Sequence, residues 1–98
     1  MEIIKTQENT ALNIALEGRL DTMTAPEFEN ALKDSIEGVE LLVLDFEKLE
    51  YVSSAGLRVI LGAQKIMNKQ GAMKIINVNE EIMDVFDITG FTDILTIE

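Results

Sequence analysis

Tyr51-Val52-Ser53-Ser54-Ala55-Gly56-Leu57-Arg58-Val59-Ile60-Leu61 is the stretch on which the fold turns. Two adjacent hydroxyls sit where the spacing of apolar residues changes. Upstream, Leu41-Leu42-Val43-Leu44-Asp45-Phe46 is almost wholly apolar, the pattern of a central strand covered on both faces. Downstream, Leu57, Val59, Ile60, Leu61, Ala63, Ile66 and Met67 span a wide helical face. The reading is a strand from Leu41 to Phe46, a loop from Glu47 to Val52 and a helix from Ser54 to Gln70, stopped by Gly71. A helix starting there leaves backbone N–H groups free at the positive end of its dipole. A phosphate placed on that end would be well held. Arg58, Lys65 and Lys69 fall on the remaining face of the same helix.

Toward the N-terminus, Leu12, Ile14 and Leu16 alternate with Asn13, Ala15 and Glu17, which is a half-buried strand at period two. Ile3 to Thr6 is a short strand before it, and Asn9-Thr10 is a turn, so a β-hairpin opens the chain. Gly18 ends the alternation. Thr24 and Glu27 have capping-box spacing, and Pro26 fits a first helical turn. Phe28, Ala31, Leu32 and Ile36 continue that helix, and Gly38 stops it. Toward the C-terminus, Lys74 to Val78 reads as a strand. Asn79 caps a third helix with Glu80 and Glu81 in its first turn, Ile82, Val85 and Phe86 on its buried side and Gly90 as its stop. Ile94 to Ile97 fits either a last short strand or a helical turn. The fold class is α/β: a mixed sheet of four to five strands, with helices packed largely on one side because the hairpin carries polar alternate residues. A strand, helix, strand succession requires a parallel pair with a right-handed crossover.

Composition narrows the function. The 98 residues suit one domain over 1–98, and 47% hydrophobic content supports a packed core. With Cys 0 and His 0, thiolate chemistry, disulfides, the commonest general base and the commonest metal ligand are all missing. The net charge of -10, from 18 acidic and 8 basic residues, repels nucleic acid and anionic membranes alike. No apolar run approaches the length that spans a bilayer, and the N-terminus lacks a signal-peptide pattern, so a cytoplasmic location is expected.

Polar groups expected beyond the carboxyl ends of the parallel strands are Asp21, Asp45, Ser53, Ser54 and Asn77, the usual place for ligands in open α/β sheets. Each has a structural alternative. Ser53 is a natural N-cap, Asp21 and Asn77 are natural turn residues, Asp45 can bind loop backbone, and Gly56 and Gly62 suit close helix packing. Enzymatic readings lack parts: a serine nucleophile has no His as base, Asp21 with Asp45 is a weak magnesium pair, and no phosphate-cradling loop exists. The site reads as one that is acted upon.

The segments Glu17-Gly18-Arg19-Leu20-Asp21, Leu44-Asp45, Tyr51-Val52-Ser53-Ser54-Ala55-Gly56-Leu57 and Val85-Phe86-Asp87-Ile88-Thr89-Gly90-Phe91 together resemble a STAS domain of the anti-sigma factor antagonist family, over essentially the whole chain. The resemblance implies a protein that binds an anti-sigma factor that is also a serine kinase, and so frees a sigma factor. It implies inactivation by phosphorylation of the serine matching Ser54, with Ser53 as the alternative, and reactivation by a PP2C-type phosphatase. Asp21, Ser53, Ser54, Gly56, Arg58 and Lys65 are the expected partner-binding residues, with no metal, cofactor or catalytic residue. The chain departs from the common pattern at Ser53, often Asp, at Ala55, often Ser or Thr, and at Arg58, often Gly. Two other classes stay open: a STAS docking or regulatory subunit of a membrane transporter complex, and a small hydrolase using Ser53 or Ser54.

Overall fold

The computed structural model describes residues 1–98. Its order is β1 (Glu2–Glu8), β2 (Ala11–Leu20), α1 (Ala25–Ser35), β3 (Leu41–Val52), α2 (Ser54–Gln70), β4 (Ala72–Ile76), α3 (Glu80–Thr89) and a short 3-10 turn (Phe91–Asp93). The four strands lie in the order β1-β2-β3-β4. The opening hairpin is antiparallel, turning at Asn9 with φ 57, while β2 with β3 and β3 with β4 run parallel.

Register explains why one face carries the core. Leu12 pairs with Leu42 and Leu42 with Met73, while Ile14 pairs with Leu44 and Leu44 with Ile75. All six are buried, and they join Phe28, Leu32 and Ile36 before β3, Leu57, Ile60, Ala63 and Met67 of α2, and Ile82 and Phe86 of α3 in one cluster. Fully burying each large side chain contributes about 1.5–3 kcal/mol. The opposite face is open: Ile4 is exposed, and Ala15, Asp45 and Ile76 are only partly covered. The apolar run in β3 is therefore not covered on both faces, because all three helices pack on the same side. At the far ends of α1 and α2, the Gln70 amide donates to the carbonyls of Ile36 and Val39 at 2.7 Å each.

Several boundaries differ from the sequence reading. Glu47 to Val52 is strand, not loop. The β2–β3 register shifts between Ala15 and Glu17 and again between Gly18 and Arg19. Each bulge adds a residue to β3, so its buried residues become Phe46, Leu49 and Val52, a spacing of three that hides a strand. Gly18, read as the end of the alternation, lies within β2 at φ 104, beside the second shift. Thr24 has no side-chain cap bond. Strand β4 ends at Ile76, because Asn77 turns the chain at φ 59. Within Ile94 to Ile97 the structure has only an isolated parallel bridge from Ile97 to Ile75; the helical turn lies earlier, at Phe91–Asp93. No helix is long and apolar enough to cross a membrane.

Candidate functional site

The site is built where β2 and β3 end side by side. The Ser53 N–H donates to the Leu20 carbonyl at 2.8 Å, which ties the start of α2 to the end of β2. Ser53 has the extended backbone of an N-cap, and its hydroxyl oxygen accepts the Gly56 N–H at 3.3 Å. The Leu57 N–H then donates to the Ser53 carbonyl at 2.9 Å, closing the first helical turn. Ser54 is the first helical residue and is exposed, whereas Ser53 is half-buried. One hydroxyl is used in building the helix start, and its neighbour faces solvent.

Gly56 is buried under Leu20. A Cβ there would lie 2.7 Å from Leu20 Cγ, 2.9 Å from Leu20 Cδ2 and 3.1 Å from the Leu20 carbonyl oxygen. Only a glycine lets α2 come this close to β2, so Gly56 reaches a partner only through the elements it positions.

Asp21 organises the other side. Its Oδ1 accepts the N–H groups of Met23 at 3.0 Å and Thr24 at 3.1 Å, and its carbonyl accepts the Ala25 N–H at 2.8 Å. Asp21 thus does the work at the start of α1 that the capping-box reading gave to Thr24. The Thr24 hydroxyl instead donates to the Arg19 carbonyl at 2.7 Å and accepts the Asp21 N–H at 2.9 Å. The backbone N–H of Thr24, then that of Met23, the Thr24 hydroxyl and the nearby Arg19 charge hold the Asp21 carboxyl below its ordinary range, against a smaller opposing effect of desolvation. Arg19 is drawn both ways: its Nε is 3.9 Å from Asp21 Oδ2, and its guanidinium carbon lies 4.3 Å from the centre of the Tyr51 ring. Such a cation–π contact at an exposed site contributes roughly 0.5–1 kcal/mol.

Asp45 and Asn77 belong elsewhere. Because β3 runs on to Val52, Asp45 is mid-strand, roughly 20 Å short of the strand end at about 3.3 Å per residue. Its Oδ1 accepts from the Asn77 amide and the Glu47 N–H, each at 3.0 Å. This pair pins the β4 turn on the open side of the sheet. It corrects the grouping of Asp45 and Asn77 with Asp21 and the serines. No group of three or more acidic residues could hold a metal ion.

Arg58, Lys65 and Lys69 are exposed, and the four ion pairs of the chain use Arg19, Lys33, Lys48 and Lys74 instead. Beside Arg58 lies a groove of about 190 Å³, lined by Thr22, Ala25, Pro26, Glu29, Ala55 and Val59. Met23, on the loop that enters α1, is 84% exposed. It is a large apolar residue within the polar run Asp21-Thr22-Met23-Thr24.

Residues 2–98 match the family described as the STAS domain. The chain belongs to the STAS family. This STAS domain is 33% identical over 95 residues to the anti-sigma-B factor antagonist of Bacillus subtilis (strain 168), covering 96% of this chain and 86% of that protein. Its fold matches the anti-sigma factor antagonist SpoIIAA in its unphosphorylated form with a TM-score of 0.78 at 18% identity, covering 99% of this chain and 87% of that one. It matches the phosphorylated form of the Bacillus cell fate determinant SpoIIAA with a TM-score of 0.77 at 19% identity, covering 99% and 91%.

Proposed function

We propose that this STAS domain is an anti-sigma factor antagonist, switched by phosphorylation of Ser54. In this reading it meets, in the cytoplasm, an anti-sigma factor that is also a serine kinase, and its binding frees a sigma factor. The kinase modifies Ser54 and ends the interaction, and a PP2C-type phosphatase resets it. The naming of the Bacillus subtilis relative as an anti-sigma-B factor antagonist supports the activity.

The observation that carries the choice of serine is the difference between the two hydroxyls. Ser53 accepts a hydrogen bond from Gly56, whereas Ser54 is exposed on the first turn of α2. The N–H groups of that turn have no intrahelical acceptor, and the dipole favours an anion. A phosphoserine adds about -1.5 to -2 charge at neutral pH. The fold tolerates this, while an acidic patch on a partner would be repelled. Asp21, Ser53, Ser54, Arg58 and Lys65 form the docking surface, with Gly56 setting the separation of its halves.

Incubation with candidate anti-sigma kinases and ATP, followed by mass-spectrometric mapping, tests the assignment. Phosphate should appear on Ser54 and persist in Ser53→Ala. Phosphate confined to Ser53 would overturn it. Calorimetry should show Ser54→Asp binding the kinase more weakly than Ser54→Ala; equal affinities for both and for wild type would remove the switch.

A further inference from the structure

The groove beside Arg58 does not end at Ala55, the neighbour of Ser54. It shares Glu29 and Val59 with a second hollow of about 90 Å³, lined by Leu32, Lys33, Ile36, Gly62, Ala63 and Ile66. The two make one trough between α1 and α2. Its length along α1, from Ala25 to Ile36, is roughly 16 Å at about 1.5 Å per residue, or about three helical turns.

Three features make the trough receptive. Its floor is apolar, formed by Leu32, Ile36, Val59 and Ala63, and Ile66 at its far end is 41% exposed. Gly62 leaves it open: a Cβ added there would meet no atom within 4 Å. Its two walls differ in charge. On the α1 side Glu29 and Lys33 neutralise one another at 3.8 Å. On the α2 side Arg58 lines the trough, and neither it nor Lys65, exposed seven residues further along the same helix, has an ion-pair partner within 4.0 Å in a chain of net charge -10. An apolar trough with one basic wall complements an amphipathic helix that carries carboxylates along one flank.

We propose that this trough receives such a helix from the anti-sigma partner, apolar residues against Leu32, Ile36, Val59 and Ile66 and carboxylates toward Arg58 and Lys65. The proposal rests on the antagonist reading above and adds the chemistry of the partner's contact. The trough reaches Ala55, next to Ser54, so phosphorylation would add negative charge at the end of the contact that carries the partner's carboxylates.

The test uses a side-chain-stapled helical peptide of about three turns, with Leu at positions i, i+3, i+4 and i+7 and Glu along one flank. Added to the isotopically labelled chain, it should shift the amide signals of Leu32, Ile36, Val59, Ala63 and Ile66 and saturate. Gly62→Phe fills the trough and should weaken binding at least roughly tenfold, whereas Gly62→Ala should leave it unchanged. Ile66→Glu, at an exposed position, gives the same loss should the phenylalanine variant fail to fold. No saturable shift, shifts confined to the open sheet face, or equal binding by Gly62→Phe would overturn the proposal. The anti-sigma kinase separates the two readings. If it binds wild type and Gly62→Phe alike, the trough is wrong and the antagonist stands. If it ignores wild type while the peptide binds the trough, the antagonist reading falls and with it the partner's identity, and the trough stands only as a site for an acidic amphipathic helix.

Discussion

Two glycines on one helix should respond in opposite directions to the same substitution. In Gly56→Ala the new methyl falls about 0.7 Å short of the 3.4 Å at which ordinary contact with Leu20 Cγ begins, and it also lies 3.1 Å from the Leu20 carbonyl oxygen. Leu20 is fully buried, so its side chain has nowhere to retreat. The start of α2 must move away, straining the 2.8 Å Ser53 to Leu20 hydrogen bond. Overpacking of this kind costs about 1–3 kcal/mol. The better helix propensity of Ala offsets up to about 1 kcal/mol of it. A net loss of about 1–2 kcal/mol should lower the Tm by about 5–10 °C in a domain of this size. Gly62→Ala meets no atom within 4 Å and should raise stability by about 0.5–1 kcal/mol. Urea and thermal unfolding of both variants decide the matter, and kinase treatment should show Gly56→Ala phosphorylated more slowly, because Ser54 shifts against the Asp21 loop. If Gly56→Ala is as stable as Gly62→Ala, the close approach of α2 to β2 is not a constraint on this fold.

Arg58→Ala should weaken binding of the unphosphorylated chain about two- to fivefold and flatten its salt dependence; unchanged affinity at low salt would reduce the basic stripe to a solvated helix face. Asp21 has a depressed folded pKa against an ordinary value of 3.8, so its contribution to stability is present above the unfolded value and is lost as pH falls through the folded one. The amide signals of Met23 and Thr24 should therefore titrate with a midpoint below 3.8, and Asp21→Asn should abolish that titration; a midpoint at or above the ordinary value contradicts the bonding described. Gln64 is 7% exposed and its Oε1 has no hydrogen-bond partner, although its amide donates to Asn68 at 2.8 Å. Gln64→Met should raise stability by about 1 kcal/mol in urea unfolding, since it removes a buried unpaired acceptor and returns the exposed Asn68 to water; a loss of stability would mean that the acceptor is satisfied.

Local sequence determined the helices and the inner strands because each carries its own signal. Apolar residues recur at helical spacing in α1, α2 and α3, Asn79 caps α3 through the Ile82 N–H at 2.8 Å, and Leu12, Ile14 and Leu16 alternate in β2. The Ser53 cap and the exposure of Ser54 follow from the same local rule. What local spacing could not supply was anything set by another strand. The second half of β3 reads as a loop, since two bulges against β2 change its buried period from two to three. Asp45 looks like a strand end for that reason, and only the pairing with β2 moves it away from the serines and gives it to Asn77. Gly56 is compatible with any close packing until Leu20 is placed over it. Arg58 and Lys65 are legible as a stripe, but the trough that Arg58 borders needs α1 laid against α2. Spacing along a chain records which residues face the core; it cannot record which residues from distant segments meet there, because that depends on register, bulges and helix packing fixed only when the sheet closes.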